Sequence, residues 1–134
     1  MRLLLDTHII LWSAAEPERF PDAVAEELEK ESNELWFSPI SIWEILMLAE
    51  KGRIELKLDP QVFIRKLLQR LPLREAVINQ EVVIQSRIVD IPHQDPADRF
   101  LVATALVYDL TLVTADLRLM ETRSFRVLAA KRRP

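Results

Sequence analysis

The 134-residue sequence contains no cysteine, one glycine and two histidines. Without cysteine there are no disulfides and no thiolate metal sites, so a bound metal would be a hard cation held mainly by oxygen atoms. The scarcity of glycine and a hydrophobic fraction of 49% argue against a disordered or low-complexity chain. The length indicates one domain over residues 1–134.

The sequence also lacks an apolar run long enough to cross a membrane, and no secretory signal precedes the first predicted strand. These absences predict a cytoplasmic protein without membrane contact. The net charge of −3 argues against a simple nucleic-acid-binding module. Basic residues nevertheless outnumber acidic ones in residues 68–134, which include Lys131, Arg132 and Arg133. Such a region could hold a polyanion, although a modest charge imbalance is usually only a solvated surface.

Short apolar runs alternate with helical segments along the chain. Residues 3–5 form a run too short for a helix, and further strands are predicted at residues 35–37, 73–78, 110–114 and 125–128. A capping residue followed by proline predicts three helix starts, at Ser38-Pro39, Asp59-Pro60 and Asp95-Pro96. The alternation predicts an α/β fold: a three-layer α/β/α sandwich with a mostly parallel central sheet of about five strands.

Four acidic residues occupy comparable places in this pattern. Asp6 and Asp116 follow the first and fourth predicted strands, while Glu44 and Asp98 lie early in helices. Parallel topology brings these strand ends and helix starts to one side of the sheet. Clustered carboxylates raise one another's pKa and require a cation, and oxygen ligands favour Mg²⁺ or Mn²⁺, which often act on phosphate substrates.

Each of these acids also has a purely structural explanation. Glu44 could close a capping box with Ser41, and Asp98 in a first helical turn would favour the helix dipole. The other two acids, Asp6 and Asp116, could be helix N-caps, as could Asp95 before Pro96. The case for a site therefore depends on the combination of acids and not on any one of them.

Four segments together carry a family resemblance. They are LLLDTHIILW, SPISIWEI, HQDPADRFLVATAL and LTLVTAD, and their order and spacing resemble those of PIN domains, most closely the VapC-type toxins of type II toxin–antitoxin pairs. The resemblance covers residues 1–128, and HQDPADRF is its most specific part. It implies a PIN-like fold and a Mg²⁺- or Mn²⁺-dependent endoribonuclease that forms a homodimer. It also implies a cognate antitoxin whose C-terminal segment lies across a groove of the toxin.

The resemblance assigns roles to individual residues. The implied metal-binding acids are Asp6, Glu44 and Asp98, with Asp116 as a more variable fourth. The implied polar neighbours of the site are Thr7 and Thr114. A subgroup pattern matches His93, Asp95 and Arg99, which would support the site or contact RNA. In the implied mechanism a metal-oriented water attacks the phosphodiester, while Arg99 and the C-terminal basic residues hold flanking phosphates.

One departure and several alternatives accompany this interpretation. Residues 117–121 lack an aromatic residue common at that place in the family, which leaves direct metal contact by Asp116 open. A haloacid-dehalogenase-like phosphatase would need an acid where His8 stands, and a receiver domain would need a late lysine where the chain offers only Lys131. The main alternative is a non-catalytic PIN-like module that binds RNA or protein without cutting. The RNA target, the metal count and cleavage of single-stranded DNA stay open.

Overall fold

Five short strands form one sheet in the computed structural model, which describes residues 1–92, 94–121 and 124–130. In chain order they are β1 (Arg2–Leu5), β2 (Glu34–Phe37), β3 (Leu73–Glu75), β4 (Thr111–Thr114) and β5 (Val127–Ala129). Their spatial order is β3-β2-β1-β4-β5, and each neighbouring pair is parallel. The predicted α/β fold is therefore confirmed, and the sheet in the described part of the chain is wholly parallel.

Seven α-helices connect these strands within the described residues. They are α1 (Thr7–Ala15), α2 (Asp22–Glu29), α3 (Pro39–Glu50), α4 (Pro60–Arg70), α5 (Gln80–Ile88), α6 (Pro96–Tyr108) and α7 (Leu117–Met120), with a single 3₁₀ turn at Pro17–Arg19. The three predicted cap-and-proline starts are confirmed, because the side chains of Ser38, Asp59 and Asp95 each accept a main-chain N–H in the first turn. No helix in the described ranges has the length and apolar character needed to span a bilayer.

The central strand buries both of its faces. Leu3 and Leu5 pack into one apolar cluster with residues of α1, α2 and α4, while Leu4 packs into the other with residues of α5 and α6. Successive strand residues point to opposite faces, so a continuous apolar run is what a strand covered by helices on both sides requires. These three leucines are at most 1% exposed.

The point at which the strand order of the sheet reverses lies beside β1. The chain runs outward from β1 through β2 to β3, then returns across the sheet so that β4 lies on the other side of β1. In parallel sheets, ligands bind outside the carboxyl ends of the strands where the order reverses. Asp6 directly follows β1 and Thr114 ends β4, so both lie at this position.

Some element boundaries differ from the predicted ones. The third strand ends at Glu75 and not at residue 78. Its neighbour β2 ends at Phe37, and the last hydrogen bond between the two segments joins the Ala76 N–H to the Phe37 carbonyl at 2.8 Å. Leu110 does not begin β4, since its N–H donates to the Ala105 carbonyl and closes α6. The basic residues 131–133 lie outside the described residues.

Candidate active site

Asp6 is held from two directions at the carboxyl end of β1. Its carboxylate accepts the Thr7 N–H at 2.6 Å through Oδ1 and the Thr114 hydroxyl at 2.6 Å through Oδ2. Its main-chain N–H donates to the Val113 carbonyl at 3.0 Å, which continues the ladder between β1 and β4. Asp6 is only 8% exposed. The cap interpretation of Asp6 is thus confirmed, and the same contacts orient the residue at the strand end.

Thr114 connects Asp6 to Asp116. The Asp116 N–H donates to the Thr114 hydroxyl at 3.0 Å, and that hydroxyl donates onward to Asp6. The Asp116 carboxylate also caps α7 by accepting the Arg118 N–H at 2.9 Å. The predicted role of Asp116 as a helix cap is therefore confirmed, and its carboxylate also lies near enough to Asp6 to raise the pKa of Asp6.

Glu44 reaches the site from the interior of α3. Ser38 caps this helix by accepting the Ile40 N–H at 3.1 Å, so Ser41 is not the cap that the capping-box interpretation requires. The buried Ser41 hydroxyl instead lies 3.0 Å from the Thr7 hydroxyl. The Thr7 side chain also lies near the half-buried Glu44 carboxylate, where its hydrogen-bonding effect lowers the pKa of Glu44 against the larger effect of burial. Glu44 is thereby linked to the residue that follows Asp6.

Asp95 and Asp98 come from the first turn of α6. Asp95 caps the helix by accepting the Asp98 N–H at 3.1 Å through Oδ1. The Asp98 side chain is 13% exposed and lies in the first turn, where an acid favours the helix dipole. The structural roles predicted for both acids are confirmed, and they place two more carboxylates beside the end of β1.

One cleft of about 590 Å³ receives all of these carboxylates. Its lining residues are Asp6, His8, Trp12, Arg19, Glu44, Asp95, Asp98, Ala115, Asp116 and Arg118. The sequence predicts no site role for four of these residues: His8, Trp12, Arg19 and Arg118. The sequence did carry a signal for His8 and Trp12. They are four residues apart on α1, the helix that Asp6 caps, so their side chains lie on the same face of that helix.

The crowding of acids changes their proton affinity. Burial is the main cause that raises the pKa of Asp98 to about 7 and also raises the pKa of Asp6 and of Glu44. For Asp98, the neighbouring charges that add to burial belong to Asp95, Asp6, Asp116 and Glu44. The carboxylates therefore act on one another electrostatically, and a cation among them would be stabilised.

Arg118 lies at the mouth of the cleft and bridges two of the acids. It forms a fork on Asp116, with Nε 3.2 Å from Oδ1 and Nη2 2.9 Å from Oδ2. The same Nη2 lies 3.5 Å from Asp98 Oδ2. The guanidinium side chain is 60% exposed, so it covers the two acids from the solvent side.

The donor chemistry of the cleft fits a hard divalent cation. The acidic side chains of the cleft offer carboxylate oxygen atoms, which are the ligands that Mg²⁺ and Mn²⁺ prefer. Within residues 1–92, 94–121 and 124–130, however, no group of three Asp, Glu or His side chains is arranged to hold a metal as it stands. Two of the acids are turned toward Arg118, and Asp6 is turned toward Thr7 and Thr114. The right ligand types therefore share one cleft without being gathered around one point.

Arg99 faces away from this chemistry. It is 6% exposed and its guanidinium donates to main-chain carbonyls at the end of α5 and just beyond it. The acceptors are Ser86 at 2.8 Å, Val89 at 3.0 Å, Arg87 at 3.3 Å and Ile91 at 3.4 Å. The expectation that Arg99 holds a substrate phosphate is wrong in this structure, because the group is buried against the backbone. The predicted role of His93 lies outside the described residues.

Comparisons with known proteins agree with the fold. Residues 3–124 match the PIN domain family. The chain is 34% identical over 124 residues to Ribonuclease VapC22 of Mycobacterium tuberculosis, a match covering 90% of this chain and 92% of that protein. The structure resembles VapBC2 from Rickettsia felis bound to a promoter DNA fragment, with a TM-score of 0.69, 16% identity and coverage of 98% and 100%. It also resembles VapBC-1 from nontypeable Haemophilus influenzae, with a TM-score of 0.62, 18% identity and coverage of 96% and 98%. Because the sequence identities to these two structures are only 16% and 18%, the similarity shows a shared fold and nothing more.

Proposed function

The chain belongs to the PIN domain family, and we propose that it is a metal-dependent endoribonuclease and the toxin of a toxin–antitoxin pair. The observation that carries the proposal is the convergence of Asp6, Glu44, Asp98 and Asp116 on one cleft at the carboxyl ends of β1 and β4. The 34% identical relative is named a ribonuclease, which supports RNA as the substrate.

These four acids would hold Mg²⁺ or Mn²⁺. When bound, the cation would neutralise charge on the scissile phosphate and lower the pKa of the attacking water. The hydroxyl of Thr114 and the N–H of Thr7 keep the Asp6 carboxylate in one orientation, and the Thr7 side chain lies beside the Glu44 carboxylate. Such outer contacts determine how well a carboxylate is placed as a ligand. The cleft would repel RNA while its acids are ionised and uncompensated.

The antitoxin would dock in an apolar groove beside the cleft. This groove has a volume of about 660 Å³ and is bordered by α1, α4 and the segment that joins α3 to α4. Its apolar lining includes Leu11, Trp12, Ile54, Leu56 and Phe63. Trp12 lines both the groove and the cleft, so a peptide in the groove would reach the site entrance. An amphipathic partner segment is what such a groove accommodates.

A homodimer would form through α5. Three of its apolar side chains point to solvent: Val83 at 46%, Ile84 at 51% and Ile88 at 64% exposure. Exposed apolar residues on one element mark an interaction surface. Light scattering should give twice the chain mass for the parental protein and the chain mass for Ile84→Glu. Equal masses would contradict this interface.

Cleavage of labelled total RNA by purified, antitoxin-free protein tests the proposed activity. The reactions contain Mn²⁺ or EDTA, with the parental protein, Asp98→Asn and the matched control Asp109→Asn. Asp109 lies at the other end of α6 with φ of +57°, a conformation that asparagine accepts, and its side chain is exposed. The same chemical change is therefore made on the same helix away from the cleft.

We expect Mn²⁺-dependent cutting by the parental and Asp109→Asn proteins, and none with EDTA or Asp98→Asn. Cutting by Asp98→Asn at the parental rate would contradict the site assignment, and cutting in EDTA would contradict metal dependence. RNA binding without metal and without cutting would favour the non-catalytic module instead.

A further inference from the structure

Arg118 supplies a positive charge to two of the proposed metal ligands. Its fork on Asp116 and its contact with Asp98 join the start of α7 to the start of α6. Asp116 and Asp98 are 24% and 13% exposed, whereas the Arg118 side chain is 60% exposed. The guanidinium therefore approaches from solvent and covers carboxylate oxygens that a metal ion would use.

The charge of Arg118 is permanent. A guanidinium is not deprotonated in proteins, and a forked contact with a carboxylate is among the stronger ion pairs. Two positive charges at one pair of carboxylates would repel each other at short range. A divalent cation bound to Asp98 and Asp116 therefore requires the Arg118 side chain to move away, which its exposure permits.

We propose that Arg118 acts as a built-in counter-cation that occupies the metal-free site and competes with the divalent metal. This inference rests on the proposed metal-dependent function. It makes metal binding an exchange of one cation for another, so that the guanidinium lowers metal affinity and leaves Asp98 and Asp116 when the metal arrives. It also accounts for the orientation of Asp98 and Asp116, whose carboxylates are turned toward the guanidinium.

Mn²⁺ binding tests the competition without measuring catalysis. Calorimetric titration and the electron paramagnetic resonance signal of free Mn²⁺ both give the affinity. The variants are Arg118→Gln and the matched control Arg19→Gln. Arg19 lines the same cleft and its removal changes the net charge equally, but its ion pair is with Glu16. The control therefore reports the general effect of one lost charge.

We expect Arg118→Gln to bind Mn²⁺ about fivefold more tightly than the parental protein, as expected for loss of a largely exposed ion pair. Arg19→Gln should stay within about twofold of the parental affinity, because the half-buried Arg19 side chain is paired with Glu16 and not with Asp98 or Asp116. Circular dichroism confirms that both variants are folded.

Three outcomes would overturn the competition. Unchanged or weaker Mn²⁺ binding by Arg118→Gln would show that the guanidinium does not occupy the metal position, while the proposed function would stand on parental cleavage. An equal increase in Mn²⁺ affinity in both variants would show that the effect comes only from the change in net charge. Absence of Mn²⁺ binding in all three proteins would overturn both the competition and the proposed metal-dependent function.

Discussion

The hydroxyl of Thr114 donates a 2.6 Å hydrogen bond to Oδ2 of Asp6, and the two residues are 108 positions apart in the sequence. Both are buried. One threonine at the end of β4 thus sets the orientation of the carboxylate at the end of β1. The same hydroxyl accepts the Asp116 N–H, so it also positions the chain entering α7.

Replacement of Thr114 by valine should weaken the site and the fold together. The change leaves a buried carboxylate short of one donor and the Asp116 N–H without this acceptor, which we expect to cost about 1–3 kcal/mol of unfolding free energy. Mn²⁺ affinity and RNA cleavage should fall by about 10- to 100-fold, as for other outer contacts of metal ligands. Urea unfolding, Mn²⁺ titration and the cleavage assay measure the three effects.

Thr104→Val is the matched control for that change. Thr104 is also 0% exposed, but its hydroxyl donates to the Phe100 carbonyl within α6. We expect Thr104→Val to keep the parental Mn²⁺ affinity. If Thr114→Val and Thr104→Val bind Mn²⁺ equally, the contact between Thr114 and Asp6 has no role at the site.

Asp98→Asn should make the metal-free protein more stable at neutral pH. Folding raises the pKa of Asp98 from an ordinary 3.8 to about 7, mainly by burial. A carboxyl with a raised pKa favours the folded state while protonated, and this contribution is lost as the pH rises from about 4 through about 7. Asparagine does not titrate, so the Asp98→Asn protein does not lose this stability as the pH rises. Urea unfolding in EDTA at pH 5 and pH 8 should therefore show a smaller decrease for Asp98→Asn than for the parental protein.

The decrease should not vanish in that variant, because burial also raises the pKa of Asp6 and Glu44. Loss of the Arg118 contact should matter little, since the guanidinium is 60% exposed and such pairs contribute about 1 kcal/mol or less. An equally steep decrease in both proteins would contradict the raised pKa of Asp98.

Mn²⁺ affinity should increase with pH in the same range. Metal ligands must be deprotonated, so a proton on Asp98 competes with the cation until the pH passes its pKa of about 7. For one competing proton, affinity rises by up to about tenfold for each pH unit below that pKa. Calorimetric titrations at pH 6 and pH 7.5 measure the change, and equal affinities at the two pH values would exclude Asp98 as a ligand that must lose its proton.

Arg99→Met should destabilise the fold by about 3–5 kcal/mol, because it leaves buried carbonyls after α5 without their charged donor. Arg87→Met is the control, since Arg87 is an exposed arginine on α5, the helix whose end the Arg99 side chain contacts. Urea unfolding measures both variants. If Arg99→Met unfolds like Arg87→Met yet loses RNA affinity, the phosphate role would be restored.

Local sequence patterns were sufficient for the fold class and the four acids. A short apolar run before Asp6 and proline after Ser38 or Asp95 are signals read within a few residues, and their structural counterparts are present. Which strands pair is not encoded locally, so the placement of β4 beside β1 emerged only from the structure. The gathering of acids followed from parallel topology, which brings strand ends to one edge whatever their order.

The errors have a physical cause in side-chain direction. The role predicted for Arg99 came from the family resemblance, which matches a pattern of residues in the sequence and does not say where a side chain points. Consecutive residues on a helix do not face each other, so Asp98 points to the cleft while Arg99 points toward α5. The contact between Arg118 and Asp98 could not be predicted because the two residues are 20 positions apart in the sequence. They meet only because α6 and α7 start side by side in the fold.

The strand order also determines when the site can form during synthesis. The central strand β1 is made first, yet its partner β4 leaves the ribosome after α6. A nascent chain that ends before β4 carries Asp6 and Glu44 but lacks the hydroxyl that orients Asp6, and it lacks Asp116. Pairing over such a separation closes a long loop and is late and slow. The cleft is therefore completed only after β4 has been synthesised, and a nascent chain that stops before β4 carries an incomplete site.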